Sequence, residues 1–500
     1  MESRLMKKFQ NLEESSHLFF AKVFVKMCKK MDKLNYIYSD KLGWLEYNKY
    51  NVIHITSEPL KLNLDISKVL SNYLKKMLSK LNPSDKDFDH YTKVYRRAHI
   101  NIEHNTFKKK VINELKSLLL VRNIDEKLDS NQKLLAFTNK VYDFNLLAFR
   151  DIEKSDFISL TTGYKLPKEN QKVQKELKQI VHSIFENEDM ENYILDTFGY
   201  ALFTNSFEIM HILSGKGGNG KGLITELLLH SLGGYYYTPD SKFLTCKYRA
   251  QVANPDLYNC RGKRVCMITE PESENDEVKF NIEFIKKVTG NDVVTCRDMY
   301  KSNITYVPKF IIFVQCNEKP ALDKMESAIK RRIKCCEFPF NFVPNPKHDF
   351  ERKVDYTLKQ KMSNKKYYTQ FMMLLINHIK DKVNQKIVFP KQVEKETNEY
   401  FESENQALSF INARLDITND PKDRIKCSEL YQIFKRDQNF EYMSNRVFKY
   451  NMLQNNIKQK PYLGYNSWYG LKLKNIIESD TEEDDFIDDL DRGISQCLTL

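Results

Sequence analysis

One segment constrains the fold more than any other: Gly215-Lys216-Gly217-Gly218-Asn219-Gly220-Lys221-Gly222. It follows the apolar run Met210-His211-Ile212-Leu213 and precedes a helical stretch from Ile224 to Leu232. The order is strand, glycine loop, helix. Such a loop lets successive backbone N–H groups converge on phosphate oxygens, and the helix N-terminus adds positive potential. Lys221 would then be the point charge for the outer phosphates. The spacing matches G-x-x-x-x-G-K-[ST] except at the last position, where Gly222 replaces the hydroxyl that normally meets Mg²⁺. Thr225 lies nearly a turn farther on and is poorly positioned to replace it.

Around this loop, from about residue 205 to 345, short apolar strands alternate with helices, which predicts an α/β sheet. Residues 1–167 read as a mainly helical region with short β elements at Leu42–Ile55, Leu134–Arg150 and Ser155–Pro167. Residues 168–345 form the core with its two leading helices, and 346–404 a helical connector. Three helices and a Tyr/Trp-rich hairpin over 405–476 suggest a winged-helix-like module, and 477–500 an acidic tail. The fold class is multi-domain, with the α/β P-loop core between the helical region and this module.

Charge narrows the partners. The net charge is +12, yet Glu478–Asp491 holds nine acids and no base, without which the chain would stand at +21. A body this basic favours a polyanion such as nucleic acid. No apolar run is long enough to cross a membrane and no secretory leader is expected. The ten cysteines show no C-x-x-C spacing, which points away from zinc and disulfides and towards a reducing, intracellular compartment.

Further acids and bases follow the loop in order. The apolar run from Val265 ends at Glu270-Pro271-Glu272. An acid at a strand tip beyond a P-loop suits metal or water handling, so Glu270 would hold Mg²⁺ through water or polarise the attacking water, with Glu272 as a second carboxylate. A later strand, Phe310–Gln315, leads to Asn317, which could orient that water or sense a γ-phosphate. Arg331-Arg332 then offers a guanidinium for the site of a neighbouring subunit.

The ordered set resembles the superfamily 3 helicases of DNA viruses. It comprises the glycine loop, Glu270-Pro271-Glu272, Ile285-Lys286-Lys287-Val288-Thr289-Gly290-Asn291-Asp292 with Arg297, Cys316-Asn317-Glu318-Lys319-Pro320, and Arg331-Arg332. The nearest branch is the poxvirus-type primase–helicases. Phe137–Phe144, Phe149-Arg150 and Asp156–Tyr164 resemble the segment that precedes the motor there, so the likeness spans roughly residues 20–345. It implies an AAA+-like motor, usually a homo-hexameric ring, that couples hydrolysis of ATP with Mg²⁺ to movement along single-stranded or forked DNA. Gly215 to Gly222 would bind phosphate, Glu270 and Glu272 serve the metal and water, and Asn317 act as sensor. Arg331 or Arg332 would be the trans-acting finger. Lys286, Lys287 and Arg297 lie in the family's extra motif, whose hairpin tip near Lys301 would grip DNA.

Relatives often carry a primase domain, but the region before the motor shows no carboxylate pair with a partner His. His99 and His104 read as surface or packing residues, so primer synthesis is not expected of this chain, and a separate primase or other replication protein could be a partner. The reading is an ATP-dependent replicative helicase acting in host cytoplasm or carried in a virion. A nucleic-acid-binding ring with weakened ATPase, serving as scaffold or loader, is the alternative that Gly222 favours. A packaging motor is the third, and the Thr289-Gly290-Asn291-Asp292 motif argues against it.

Overall fold

Apolar residues at three- and four-residue steps make the first quarter of the chain helical. The computed structural model describes residues 12, 16–56, 60–84, 86–203, 208–246, 252–272, 278–300, 303–323, 327–404, 406–418, 420, 422–437, 445–455, 457–462 and 465–474. Helix α1 (His17–Lys30) is followed by an antiparallel sheet of β1 (Tyr36–Ser39), β2 (Gly43–Tyr47) and β3 (Ile53–Thr56). Then come α2 (Leu60–Leu78), α3 (Phe88–Glu103) and α4 (Asn105–Leu118). Phe20, Phe24, Ile66, Leu70, Ile102 and Val111 meet in one core beneath them.

A second antiparallel sheet joins β4 (Leu134–Ala136), β5 (Val141–Asp143) and β6 (Ala148–Arg150). The expected strands of Ser155–Pro167 do not form. Instead Ile158 O accepts from Ile53 N at 2.7 Å, Thr162 N donates to Ala136 O at 2.9 Å, and Tyr164 O accepts from Thr138 N at 2.9 Å. A segment that gives single bonds to several neighbours builds no ladder.

Two helices lead into the core: α5 (Gln171–Phe185), capped by Asn170, and α6 (Glu188–Tyr200), capped by Asn187. Strand and helix then alternate through β7 (Met210–Ser214), α7 (Lys221–Leu232), β8 (Tyr236–Tyr237), β9 (Val265–Thr269) and α8 (Ile282–Thr289). A small antiparallel hairpin, β10 (Val294–Cys296) and β11 (Ile304–Tyr306), precedes β12 (Ile311–Gln315) and β13 (Ile333–Glu337). The five main strands form one parallel sheet in the order β13-β7-β12-β9-β8. Every residue of β7 is buried, as are four of five in β9 and β12. That is why these strands read as continuous apolar runs, with both faces covered. Helix α9 (Lys365–Ile379) packs against α5, α6 and α7, and α10 (Lys391–Ser403) follows.

By its internal contacts the chain falls into two units, Met1–Thr397 and Asn398–Leu500. The second contains α11 (Gln406–Arg414), β14 (Leu415–Ile417), β15 (Arg424–Lys426), α12 (Cys427–Arg436) and α13 (Asn445–Gln454). It ends in β16 (Lys458–Tyr462), β17 (Tyr465–Tyr469) and β18 (Leu471–Leu473). Strands β15, β17 and β16 form an antiparallel sheet, and β14 pairs with β18. Phe410, Leu430, Phe434, Phe448, Trp468 and Leu471 make its core. The described residues contain no helix long and apolar enough to cross a membrane and no metal-ligating cluster.

One buried charge fastens the small β4–β6 sheet to the core. Arg264, at the start of β9, is 2% exposed. Its guanidinium donates to Gln132 O at 2.7 Å, Gln132 Oε1 at 2.5 Å and Leu134 O at 2.8 Å, and lies 5.4 Å from the Tyr235 ring centre. Tyr235 in turn accepts from Ala136 N at 3.0 Å and donates to Leu160 O at 2.8 Å. Buried carbonyls stripped of a charged donor are costly. Arg264→Ala should therefore destabilise the first unit by roughly 3 kcal/mol, read by denaturant unfolding. A loss below about 0.5 kcal/mol, the level of an ordinary surface change, would contradict this role.

Candidate active site

The glycine loop leaves β7 after Ser214 and re-enters helix at Lys221. Gly215 sits at φ +139°, and a Cβ there would lie 2.9 Å from Phe338 O and collide with the Asn219 side chain. Only glycine fits such a backbone. Gly222, by contrast, would meet nothing within 4 Å of an added Cβ. The chain leaving β13 braces the loop, for Phe338 N donates to Ser214 O at 2.9 Å and Phe342 N to Gly218 O at 2.8 Å.

Lys221, at the start of α7, is buried. It is 3% exposed. Its ammonium donates to Gly215 O and, at 3.2 Å, to Asn219 Oδ1. Burial lowers its pKa from the ordinary lysine value, against the opposing pull of nearby groups that include Glu270 and Glu337. Asn219 Nδ2 is buried without a partner, a donor for which a phosphate oxygen at the loop would be a fitting acceptor.

The strand order brings the other groups to this loop. Because β12 lies between β7 and β9, the tips of all three emerge side by side. Glu270 N donates to Gln315 O at 2.8 Å, Cys316 N to Leu213 O at 3.1 Å, and Asn317 N to Glu270 Oε2 at 3.4 Å. Glu270 holds φ +45°, unusual for a residue with a side chain. Thr225 Oγ1 lies 2.8 Å from Gln315 Oε1 and 3.0 Å from Lys221 O, so its hydroxyl is spent tying α7 to the tip of β12.

A cavity of ≈ 540 Å³ opens over these tips. Gly217 to Gly222, Glu270, Gln315 and Asn317 line it on one side. The other wall was not legible in the sequence: Ile184 at the end of α5, then Phe342, Val354, Tyr356, Leu358 and Lys359 beyond β13. That stretch carries no motif, and only the fold folds it back over the loop. Arg352 fastens it, its guanidinium 2.5 and 2.6 Å from the two Glu186 oxygens and 3.8 Å from the Phe340 ring centre. The Arg352 bonds hold the Glu186 carboxyl below its ordinary pKa.

The other described candidate residues lie outside this cavity. Lys216 is exposed outside the cavity lining. Glu272 also lies outside it, its N donating to Ser241 O at 3.3 Å and its O accepting from Thr245 Oγ1 at 2.5 Å. Arg331 and Arg332 lie at the opposite edge of the sheet, since Arg332 O accepts from Met210 N at the start of β7. Five strand residues separate that edge from the loop, roughly 17 Å. Both arginines reach Glu208 Oε2, Arg331 at 3.3 Å and Arg332 at 2.9 Å. Arg331 is 66% exposed in its side chain and Arg332 only 9%. Lys286 and Lys287 are half-buried in the last turn of α8. Arg297 is exposed at the end of β10, and Lys301 lies outside the described residues.

The carboxylate and polar groups suit a phosphate-bound divalent cation. Glu270 and Asn317 line the cavity together with Glu226 and Asp355, and among the described residues no three His, Cys, Asp or Glu gather closely enough to hold an ion without phosphate or water.

Residues 21–186 match the family described as D5 N terminal like, and residues 213–332 match a family of unknown function (DUF5906). A provisionally named helicase of Acanthamoeba polyphaga mimivirus is 32% identical over 84% of this chain and 45% of its own length. A provisionally named helicase of Invertebrate iridescent virus 6 is 27% identical over 64% of this chain and 36% of its own length. Primase D5 of Fowlpox virus is 27% identical over 50% of this chain and 33% of its own length. The chain thus spans about half or less of these curated relatives. The solved C terminal region of NrS-1 aligns over 90% of this chain and all of that one, at 13% identity and a TM-score of 0.48.

The two ends of the glycine loop should respond differently to added atoms. Gly215→Ala, forced into glycine-only backbone, should cost about 1–3 kcal/mol. Gly222→Ser enters open space and should stay within about 0.5 kcal/mol of wild type. Chemical denaturation of both variants checks the contrast, and equal losses would contradict it.

Proposed function

The chain belongs to the D5-type primase–helicase family of large DNA viruses, and from that premise we propose that it is an ATP-hydrolysing replicative DNA helicase. It would work as a homo-oligomeric ring on single-stranded and forked DNA, inside the infected cell. The observation that carries this reading is the convergence of Lys221, Glu270 and Asn317 on one cavity at the carboxyl ends of a parallel sheet. Ligands of such sheets bind at those ends. The insertion of β12 between β7 and β9 supports an AAA+-like core, and three helices followed by a hairpin support a winged-helix-like second unit.

In this mechanism the ATP phosphates lie on the loop N–H groups and the α7 N-terminus. Lys221 exchanges its Gly215 and Asn219 oxygens for phosphate oxygens, and its burial makes that exchange favourable, since an anion restores the solvation it lacks. Glu270 would hold Mg²⁺ through water or polarise the attacking water, with the Asn317 N–H fixing its carboxylate. Mg²⁺ when bound neutralises developing phosphate charge. Gly222 would offer that metal no side-chain oxygen. This is the observation that keeps the second reading, a DNA-binding ring with weakened ATPase, in contention. Arg331 is the better finger for a neighbouring subunit, because Arg332 is buried against Glu208 and the backbone of Ala328. A separate primase would be a natural partner.

Lys221→Ala should abolish ATP turnover and unwinding. Unchanged hydrolysis would overturn the assignment of the loop. The two arginines should separate cleanly. Arg331→Ala should leave stability and ATP binding intact while slowing hydrolysis by about 10³–10⁵, with partial recovery when mixed with Lys221→Ala subunits. Arg332→Ala should lower stability by roughly 1–3 kcal/mol. Normal turnover by Arg331→Ala in an assembled ring would remove it as the finger.

A further inference from the structure

The second unit presents a surface that the motor reading does not use. Side chains alternate across a strand, and the register of β15, β17 and β16 sorts them into two sets. Ile425 and Trp468 point into the core, 9% and 1% exposed. On the opposite face one row is Arg424, Tyr469 and Lys458, and the next is Lys426, Ser467 and Lys460. The pair Tyr465 and Tyr462 closes it. The face therefore carries basic residues on both outer strands, tyrosines along the middle, and no acid at any of these positions. Lys426, Lys458, Lys460 and Tyr465 are exposed.

The cations and rings are already organised. The Arg424 guanidinium lies 3.5 Å from the Tyr462 ring centre, and the Lys426 ammonium 4.3 Å from that of Tyr465. Between Lys426 and Lys460, Ser467 Oγ is buried and has no partner.

We propose that this sheet face is a binding platform for single-stranded DNA. The outer-strand cations meet phosphates, and the tyrosine rings receive unpaired bases. Tyr465 and Tyr469 are four residues apart on one strand, roughly 13 Å, which leaves room for a base on each with backbone between. A duplex would offer the tyrosines no base face, and an acidic peptide would use the cations alone. The platform lies in a different unit from the nucleotide cavity and does not require ATP.

The test uses the full chain without nucleotide, with fluorescence anisotropy of a labelled (dT)20 strand and of an abasic strand of equal length. The wild type should bind (dT)20 more tightly. Tyr465→Ala should weaken (dT)20 binding about tenfold and leave abasic binding unchanged, whereas Tyr465→Phe, which keeps the ring, should bind like wild type. The triple change Lys426→Gln, Lys458→Gln, Lys460→Gln should weaken both strands and reduce the salt slope of binding by about 2. Basal ATPase should be unaffected in all of them. The same differences should persist in a Lys221→Ala background, so failure of the motor assignment and failure of the platform are separable. Wild-type affinity in the tyrosine and lysine variants would overturn the proposal. So would equal binding of the abasic and (dT)20 strands, which would mark a general polyanion surface, such as a seat for the acidic Glu478–Asp491 segment.

Discussion

The cavity exists because β12 is hydrogen-bonded between β7 and β9. A parallel strand inserted there forces three loops to start side by side. The bonds Cys316 N to Leu213 O and Glu270 N to Gln315 O then extend the sheet one step past its regular end. Glu270 turns into the cavity at a positive φ that the second of these bonds helps hold. Thr225 adds a side-chain tie from α7 to the same tip. The glycine loop, Glu270 and Asn317 are thus referenced to the tips of one parallel layer.

The periphery completes that layer. Arg264 and Tyr235 fix the β4–β6 sheet to the outer strands of the core through buried hydrogen bonds, which are strong because little water competes for them. Ser231 O accepts from Tyr164 Oη at 2.6 Å at the far end of α7. On the open side, the chain beyond β13 doubles back, bonds to Ser214 and Gly218, and is clasped by Arg352 and Glu186. A loop rich in glycine is entropically expensive to order. Here its order comes from neighbours distant in sequence.

The two arginines show how one dipeptide divides its labour. Arg332 is buried and satisfies Glu208 and Ala328 O, so it shapes the start of β7 and β13. Arg331, one residue earlier, keeps most of its side chain in solvent although it reaches the same carboxylate. A surface ion pair of this kind contributes little to stability, which leaves its guanidinium free to exchange partners. Glu270 and Glu272 differ in the same way, since only the first emerges over the cavity.

Sequence alone determined the elements whose signal is local. The glycine loop, the apolar β7, β9 and β12 runs, the paired leading helices and the β10–β11 hairpin were legible because periodicity and glycine content are properties of neighbouring residues. So were Lys221, Glu270 and Asn317 as candidates, each at a strand or helix end. The tertiary structure decided what depends on pairing between distant segments. Strand order is set by which buried faces fit, and no residue reports it alone; that order gathered Glu270 and Asn317 at the loop and left Glu272, Arg331 and Arg332 outside. Ser155–Pro167 has strand composition but serves several partners, so it became extended chain. The wall from Phe342 to Lys359, the burial of Lys221 and the basic, tyrosine-lined face of the second unit all arise from contacts or register across many residues, where composition is silent and packing decides.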